Sequence, residues 1–227
     1  TASFIINDNN ALSTSISSNI ALTHDVSCWN VCDGLITVEV TGGAPNYDAS
    51  GNPVYMYQWD DQLQQTTASA IGLCIDSLLN TNTYTCVVTD AQGCQDSISH
   101  VLNQPDELIV SALVDTEISC NGDSDGVLDA SAIGGNGGNS FVWSNMNVGA
   151  LNSNLSTGNY VVIVTDGKGC KDTTQIYLPE PSLLEDSIHI TNLSCFEDAS
   201  GVITATASGG SPIFPNFQYD YTFYEVV

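Results

Sequence analysis

The chain has 227 residues, 42% of them hydrophobic, with 26 acidic side chains against two lysines, Lys168 and Lys171, and no arginine. A surface this negative repels phosphate backbones and anionic head groups, so neither nucleic-acid nor membrane-surface binding is expected. The absence of arginine removes the usual bidentate clamp for carboxylate or phosphate ligands, and no apolar run approaches the roughly 18 residues of a membrane span.

Internal repeats decide the fold. Thr1-Ala2-Ser3-Phe4 has no basic region ahead of an apolar core, so a signal peptide is expected to be absent or removed. Residues 1–9 read as the last strand of a preceding repeat, because Ser3 to Asn7 stands where Ser99 to Asn103 stands. Repeat one covers 10–105. It opens on Ser27-Cys28, reaches Asp33-Gly34, then Gly42-Gly43 and Trp59, and closes on Tyr84 through Thr89-Asp90-Ala91-Gln92-Gly93-Cys94 and Gln104-Pro105.

Repeat two, 106–181, carries the same signs: Ser119-Cys120, Asp125-Gly126, Gly134-Gly135, Trp143, then Tyr160 through Thr165-Asp166-Gly167-Lys168-Gly169-Cys170, and Glu180-Pro181. A third copy, 182–227, has Ser194-Cys195, Ser200-Gly201 and Gly209-Gly210, but no Thr-Asp-x-x-Gly-Cys before Val227. The parent protein is therefore expected to continue both ways. Repeat one is longer through insertions between Gly43 and Trp59 and between Trp59 and Thr89, which belong in loops.

Apolar spacing has period two, which marks half-buried strands. Leu108 to Val114, Gly126 to Ile133, Phe141 to Trp143, Tyr160 to Val164 and Gln175 to Leu178 read as strands, with Asp-Gly, Gly-Gly and Asn-Gly pairs as turns. No segment sustains a 3.6-residue period. Six or seven short strands in a unit of this size predict an all-β fold of tandem small immunoglobulin-like sandwiches.

The eight cysteines suggest an oxidising compartment and disulfide staples. Repeat two holds only Cys120 and Cys170, which pair by elimination. Equivalence within the chain then predicts Cys28–Cys94. Of the remaining three, Cys74–Cys86 is preferred, which leaves Cys32 free or bonded elsewhere.

The motif Cys120 to Asp125-Gly126, Gly134-Gly135, Phe141-Val142-Trp143-Ser144, Leu155-Ser156-Thr157-Gly158-Asn159-Tyr160 through Cys170, and Pro181 resembles the SprB repeat. Repeat one departs from it with Leu78-Leu79-Asn80-Thr81-Asn82 in place of the Leu-Ser-x-Gly turn. The resemblance implies a large cell-surface adhesin of gliding bacteria, exported by type IX secretion and assembled into filaments.

The sequence offers three kinds of binding or modification site. Asn121-x-Asp123-x-Asp125-Gly126 has the front half of an EF-hand calcium loop, but Ala132 stands where the bidentate glutamate would be, so an acidic turn and a calcium site are both open. Asp-Ser/Thr triplets place Ser77, Ser97, Thr173 and Ser187 in what looks like the O-glycosylation motif of bacteria using this secretion route. Trp59 and Trp143 are read as core, with sugar stacking the other reading. His24, His100 and His189 occupy unrelated repeat positions, and no nucleophile or phosphate-loop motif appears, so no enzyme is expected.

The leading function is a non-enzymatic adhesive repeat array, with neighbouring repeats as partners and lateral self-association or surface polysaccharide as further ones. The alternative is a calcium-dependent carbohydrate-binding module appended to a secreted enzyme.

Overall fold

The computed structural model describes residues 11–16, 22–76, 78–195, 200–211 and 218–224. The reading of residues 1–9 lies outside these. The described residues contain strands and no α-helix, as the period-two pattern predicts.

The chain divides into two compact units. One is residues 1–109 with 133–138 and 166–170, and the other is the remainder. The first unit holds β1 (Ser13–Ile16), β2 (Gly34–Thr41), β3 (Asn46–Tyr47), β4 (Pro53–Val54), β5 (Met56–Trp59), β6 (Ser69–Leu73), β7 (Thr81–Thr89) and β8 (Gln95–Asn103). Two antiparallel three-stranded sheets, β1-β2-β6 and β5-β7-β8, make an immunoglobulin-like sandwich. The β3–β4 hairpin is the first insertion, and the loop after β6 holds the second.

The second unit repeats the plan with β9 (Ile109–Thr116) and β10 (Gly126–Ile133), each but for one end residue, and with β11 (Ser140–Trp143), β12 (Leu151–Leu155), β13 (Gly158–Thr165) and β14 (Lys171–Leu178). Its sheets are β9-β10-β12 and β11-β13-β14. A hairpin of β15 (Glu185–Thr191) and β16 (Val202–Ser208) begins the third repeat.

Alternate residues of each central strand are buried, because successive side chains point to opposite faces of a sheet. β2 and β10 share one burial pattern, with Ile36 and Leu128 fully buried at the same position. The first core gathers Trp59, Ile36, Val88, Leu102 and the thiol of Cys86. Both tryptophans are 2% exposed, and each indole N–H donates to a carbonyl, Trp59 to Thr67 at 2.9 Å and Trp143 to Gly149 at 3.0 Å. That burial removes the sugar-stacking reading.

Of the Asp-Gly pairs, Asp166-Gly167 lies in a turn as expected, but the glycines of the other two are not turn residues. Gly34 and Gly126 begin β2 and β10. A Cβ on Gly126 would lie 2.6 Å from Leu178 Cδ2, 3.0 Å from Ile118 Cγ1 and 3.1 Å from the Leu155 carbonyl. Leu178 is fully buried and cannot retreat. Gly126→Ala should therefore destabilise the second unit by about 1–3 kcal/mol, as overpacking does, and an unchanged denaturant midpoint would contradict this packing account.

The Gly-Gly pairs do need glycine for backbone reasons. Gly134 and Gly209 have φ of 72° and 74°, and a Cβ on either would stand 1.9 or 2.0 Å from the carbonyl oxygen of Glu107 or Leu183. Repeat one also differs from its expected alignment. Leu73, not Leu78 or Leu79, takes the place of Leu155: Leu73 pairs with Gly34 as Leu155 pairs with Gly126. Leu78 and Leu79 are exposed in the inserted loop.

Candidate functional site

The repeat signatures converge on one loop cluster in the first unit, formed by the Ser27-Cys28 turn, residues 134–138 and residues 166–170. Asp166 organises it. Its Oδ1 accepts the backbone N–H groups of Lys168 and Cys170, both at 2.9 Å, and its Oδ2 accepts the backbone and side-chain N–H of Asn136, both at 2.8 Å. Gly135 leaves room for that carboxylate, since a Cβ there would approach Oδ2 to 2.9 Å. Asn136 Nδ2 also donates to the Ser27 carbonyl at 3.0 Å, and Gly167 N–H donates to the Gly137 carbonyl at 2.7 Å.

Burial pushes the Asp166 carboxyl up, but the hydrogen bonds from Asn136, Lys168 and Cys170 outweigh it and hold the pKa at about 2. A carboxyl lowered by folding stabilises the fold above its ordinary pKa and loses that contribution as pH falls through the folded value. The loop should therefore loosen between about pH 4 and pH 2, with the amide shifts of Asn136, Lys168 and Cys170 titrating together near 2. Titration near 3.8 would contradict the network.

Repeat one builds the same loop around Asp90, which accepts Ala44 N–H at 2.9 Å and the N–H groups of Gln92 and Cys94. The Ala44 bond is the main cause that holds its carboxyl below the ordinary range. The closing Gln-Pro and Glu-Pro signatures act alike. Gln104 Oε1 accepts Asn30 N–H at 3.1 Å, and Glu180 Oε2 accepts Gly122 N–H at 2.7 Å. In each case the side chain holds the amide two residues after the opening cysteine.

The disulfides differ from every expected pairing. Cys28 bonds Cys170, 142 residues away, and Cys32 bonds Cys74. Cys86, Cys94, Cys120 and Cys195 are free. The expected pairs Cys120–Cys170, Cys28–Cys94 and Cys74–Cys86 are thus all replaced. Cys86 points into the core on β7, where β13 has the buried Val162, and burial pushes its thiol up to about 11, so it packs as a small hydrophobe. Cys170 reaches Cys28 because the Asp166 loop lies on the Ser27 turn, with Cys170 Sγ 3.4 Å from the Ser27 carbonyl oxygen.

The other expected site residues are dispersed or engaged. Asn121 Nδ2 donates to the Pro181 carbonyl at 3.0 Å, Asp123 accepts the Ser119 hydroxyl at 3.2 Å, and Asp125 accepts the Ser119 N–H at 3.1 Å. Ser97, Thr173 and Ser187 are exposed on β8, β14 and β15, while Ser77 lies outside the described residues. The aspartates before Ser97 and Thr173 join the two sheets of a sandwich: Asp96 accepts Thr14 N–H and hydroxyl at 2.9 Å, and Asp172 accepts Val110 N–H at 2.7 Å. Asn136 escaped the sequence reading. Its position holds Ala44 in repeat one and Ser211 in repeat three, so only the preceding Gly-Gly pair marks it.

The family model described as SprB repeat matches residues 21–48 and 187–221, the openings of repeats one and three. No curated protein matches the sequence. Among solved structures, the three N-terminal domains of the highly immunogenic outer capsid protein of bacteriophage RB49 align at 15% identity, over 88% of this chain and 70% of that one, with a TM-score of 0.45. A C-terminal intimin fragment, solved with the intimin-binding domain of its translocated receptor, aligns at 13% identity over 79% of this chain and 66% of that one, TM-score 0.39. A tetra-tandem repeat from the extending region of a large adhesion protein aligns at 13% identity over 87% of this chain and 62% of that one, TM-score 0.23. The chain spans about two thirds of the length of each.

Proposed function

We propose, on the premise that these repeats belong to the SprB repeat family, that the chain is part of an extracellular, non-enzymatic array. It serves as an adhesive filament or stalk at the cell surface, in attachment or gliding. The observation that carries this reading is the use made of the signatures. Gly-Gly, Thr-Asp-x-x-Gly-Cys and Gln/Glu-Pro all serve to build and bond the loops between strands. A sequence selected for such joints suits a chain that carries load, where many weak contacts replace one deep pocket. The charge of −24 favours solubility of so long a polymer.

An antibody raised against residues 106–181 should label intact cells, and brief surface proteolysis should remove the label together with attachment to a solid support. Label appearing only after lysis would overturn the proposal. Binding on a glycan array that a calcium chelator abolishes would favour the carbohydrate-binding module instead. The exposed Ser97 and Thr173 are proposed to carry sugars, and an intact mass equal to that of the bare polypeptide would refute this.

A further inference from the structure

Cys28–Cys170 joins the opening Ser-Cys turn of repeat one to the closing Gly-Cys of repeat two. The exposed free cysteines occupy these same two positions. Cys120 and Cys195 follow an opening serine, and Cys94 ends a Thr-Asp-x-x-Gly-Cys loop.

Two independent observations bear on the partner of Cys120. The first is a repeat of the joint's own hydrogen bond. Where Asn136 donates to the Ser27 carbonyl at 3.0 Å, Ser211, the equivalent residue after the third Gly-Gly pair, donates to the Ser119 carbonyl at 2.8 Å. The second is an uncovered sheet face. Ile203 on β16 is 58% exposed, whereas Ile36 and Leu128 at the same repeat position are fully buried under the second sheet of their sandwiches. That second sheet is the one that carries the Gly-Cys loop in repeats one and two, between β7 and β8 and between β13 and β14.

We infer that Cys120 is bonded to the Gly-Cys cysteine of the third repeat, in a segment of the parent chain outside residues 1–227, and Cys94 to the Ser-Cys turn of a repeat ahead of the first. The array is then stitched by a ladder of disulfides, each running from the opening turn of one repeat to the closing loop of the next. Each bond forms by thiol–disulfide exchange. Two cysteine thiols lose two protons and two electrons to an acceptor disulfide, either a small molecule or an oxidoreductase, which leaves as two thiols.

The inference rests on the extracellular array proposed above. Disulfide mapping tests it on the natural chain. Cells are quenched with N-ethylmaleimide, and the surface protein is digested without reduction and read by mass spectrometry. The expected result is the Cys120 peptide joined to a Thr-Asp-x-x-Gly-Cys peptide other than those of Cys94 and Cys170. The Cys94 peptide should be joined to a Ser-Cys peptide, and maleimide on Cys120 should stay below a tenth of its level after reduction. Cys120 carrying maleimide, or bonded to Cys170 or Cys94, overturns the ladder. Mapped bonds in cells that attach equally well without the protein would sink the adhesive reading and leave the ladder standing.

Discussion

Trp143→Ala should cost the second unit about 4 kcal/mol, within the 3–5 kcal/mol expected for deleting a large buried aromatic. The indole is 2% exposed, on a strand whose partner β13 contributes the fully buried Val162 and Val164. Two losses add. The cavity left behind has little room to collapse between two sheets of three strands, and the Gly149 carbonyl loses the indole N–H that it accepts at 3.0 Å. A small domain is stable by only about 5–15 kcal/mol, so this change should remove a large share of its stability. Chemical denaturation followed by circular dichroism reads the effect. Val148→Ala, at a residue 71% exposed, serves as control and should stay within about 0.5 kcal/mol. A tryptophan variant as stable as that control would mean the indole is not the centre of the sandwich.

Removing the Cys28–Cys170 bond by serine at both positions should cost a similar amount. The bond closes a sequence separation of 142, for which the chain-entropy model gives about 5 kcal/mol, against about 4 kcal/mol for the separation of 42 from Cys32 to Cys74. Cys120→Ser should leave the denaturant midpoint where it is in the 227-residue chain, because that thiol is free and exposed here. This contrast separates the observed pairing from Cys120–Cys170, under which the Cys120 variant would be the damaging one. The bond also has a mechanical consequence. Under tension it withholds the stretch between its cysteines, a sequence separation of 142 and about 480 Å of extended chain. Single-molecule pulling should show that length released only after reduction. Release at the same extension with and without reductant would show that the two cysteines are not joined.

Much of the architecture is legible in the residues themselves. Gly126 to Ile133 is a strand over the span its alternation predicts, and Tyr160 to Val164 lies inside a longer one. What escaped has a local reason. β12 reads Leu-Asn-Ser-Asn-Leu, whose three polar residues have low strand propensity, and it forms because β10 offers it a hydrogen-bonding edge. Asp33-Gly34 and Asp125-Gly126 look like turns, as Asp166-Gly167 is, yet their glycines begin strands, since the demand for no side chain comes from Leu102 and Leu178, many residues away.

The sequence alone determined the repeat, its period-two strands, its acidic surface and the positions where insertions are harmless, because each depends on neighbours along the chain. Only the tertiary structure decided which sulfurs meet. In a repeated sequence, equivalent cysteines carry the same local signature, so parity and spacing describe a bond within one repeat and a bond between successive repeats equally well. The choice is made by where folding places the Asp166 loop, which is against the Ser27 turn, within reach of Cys28. The same placement gives Asn136 its role and leaves Cys120 exposed.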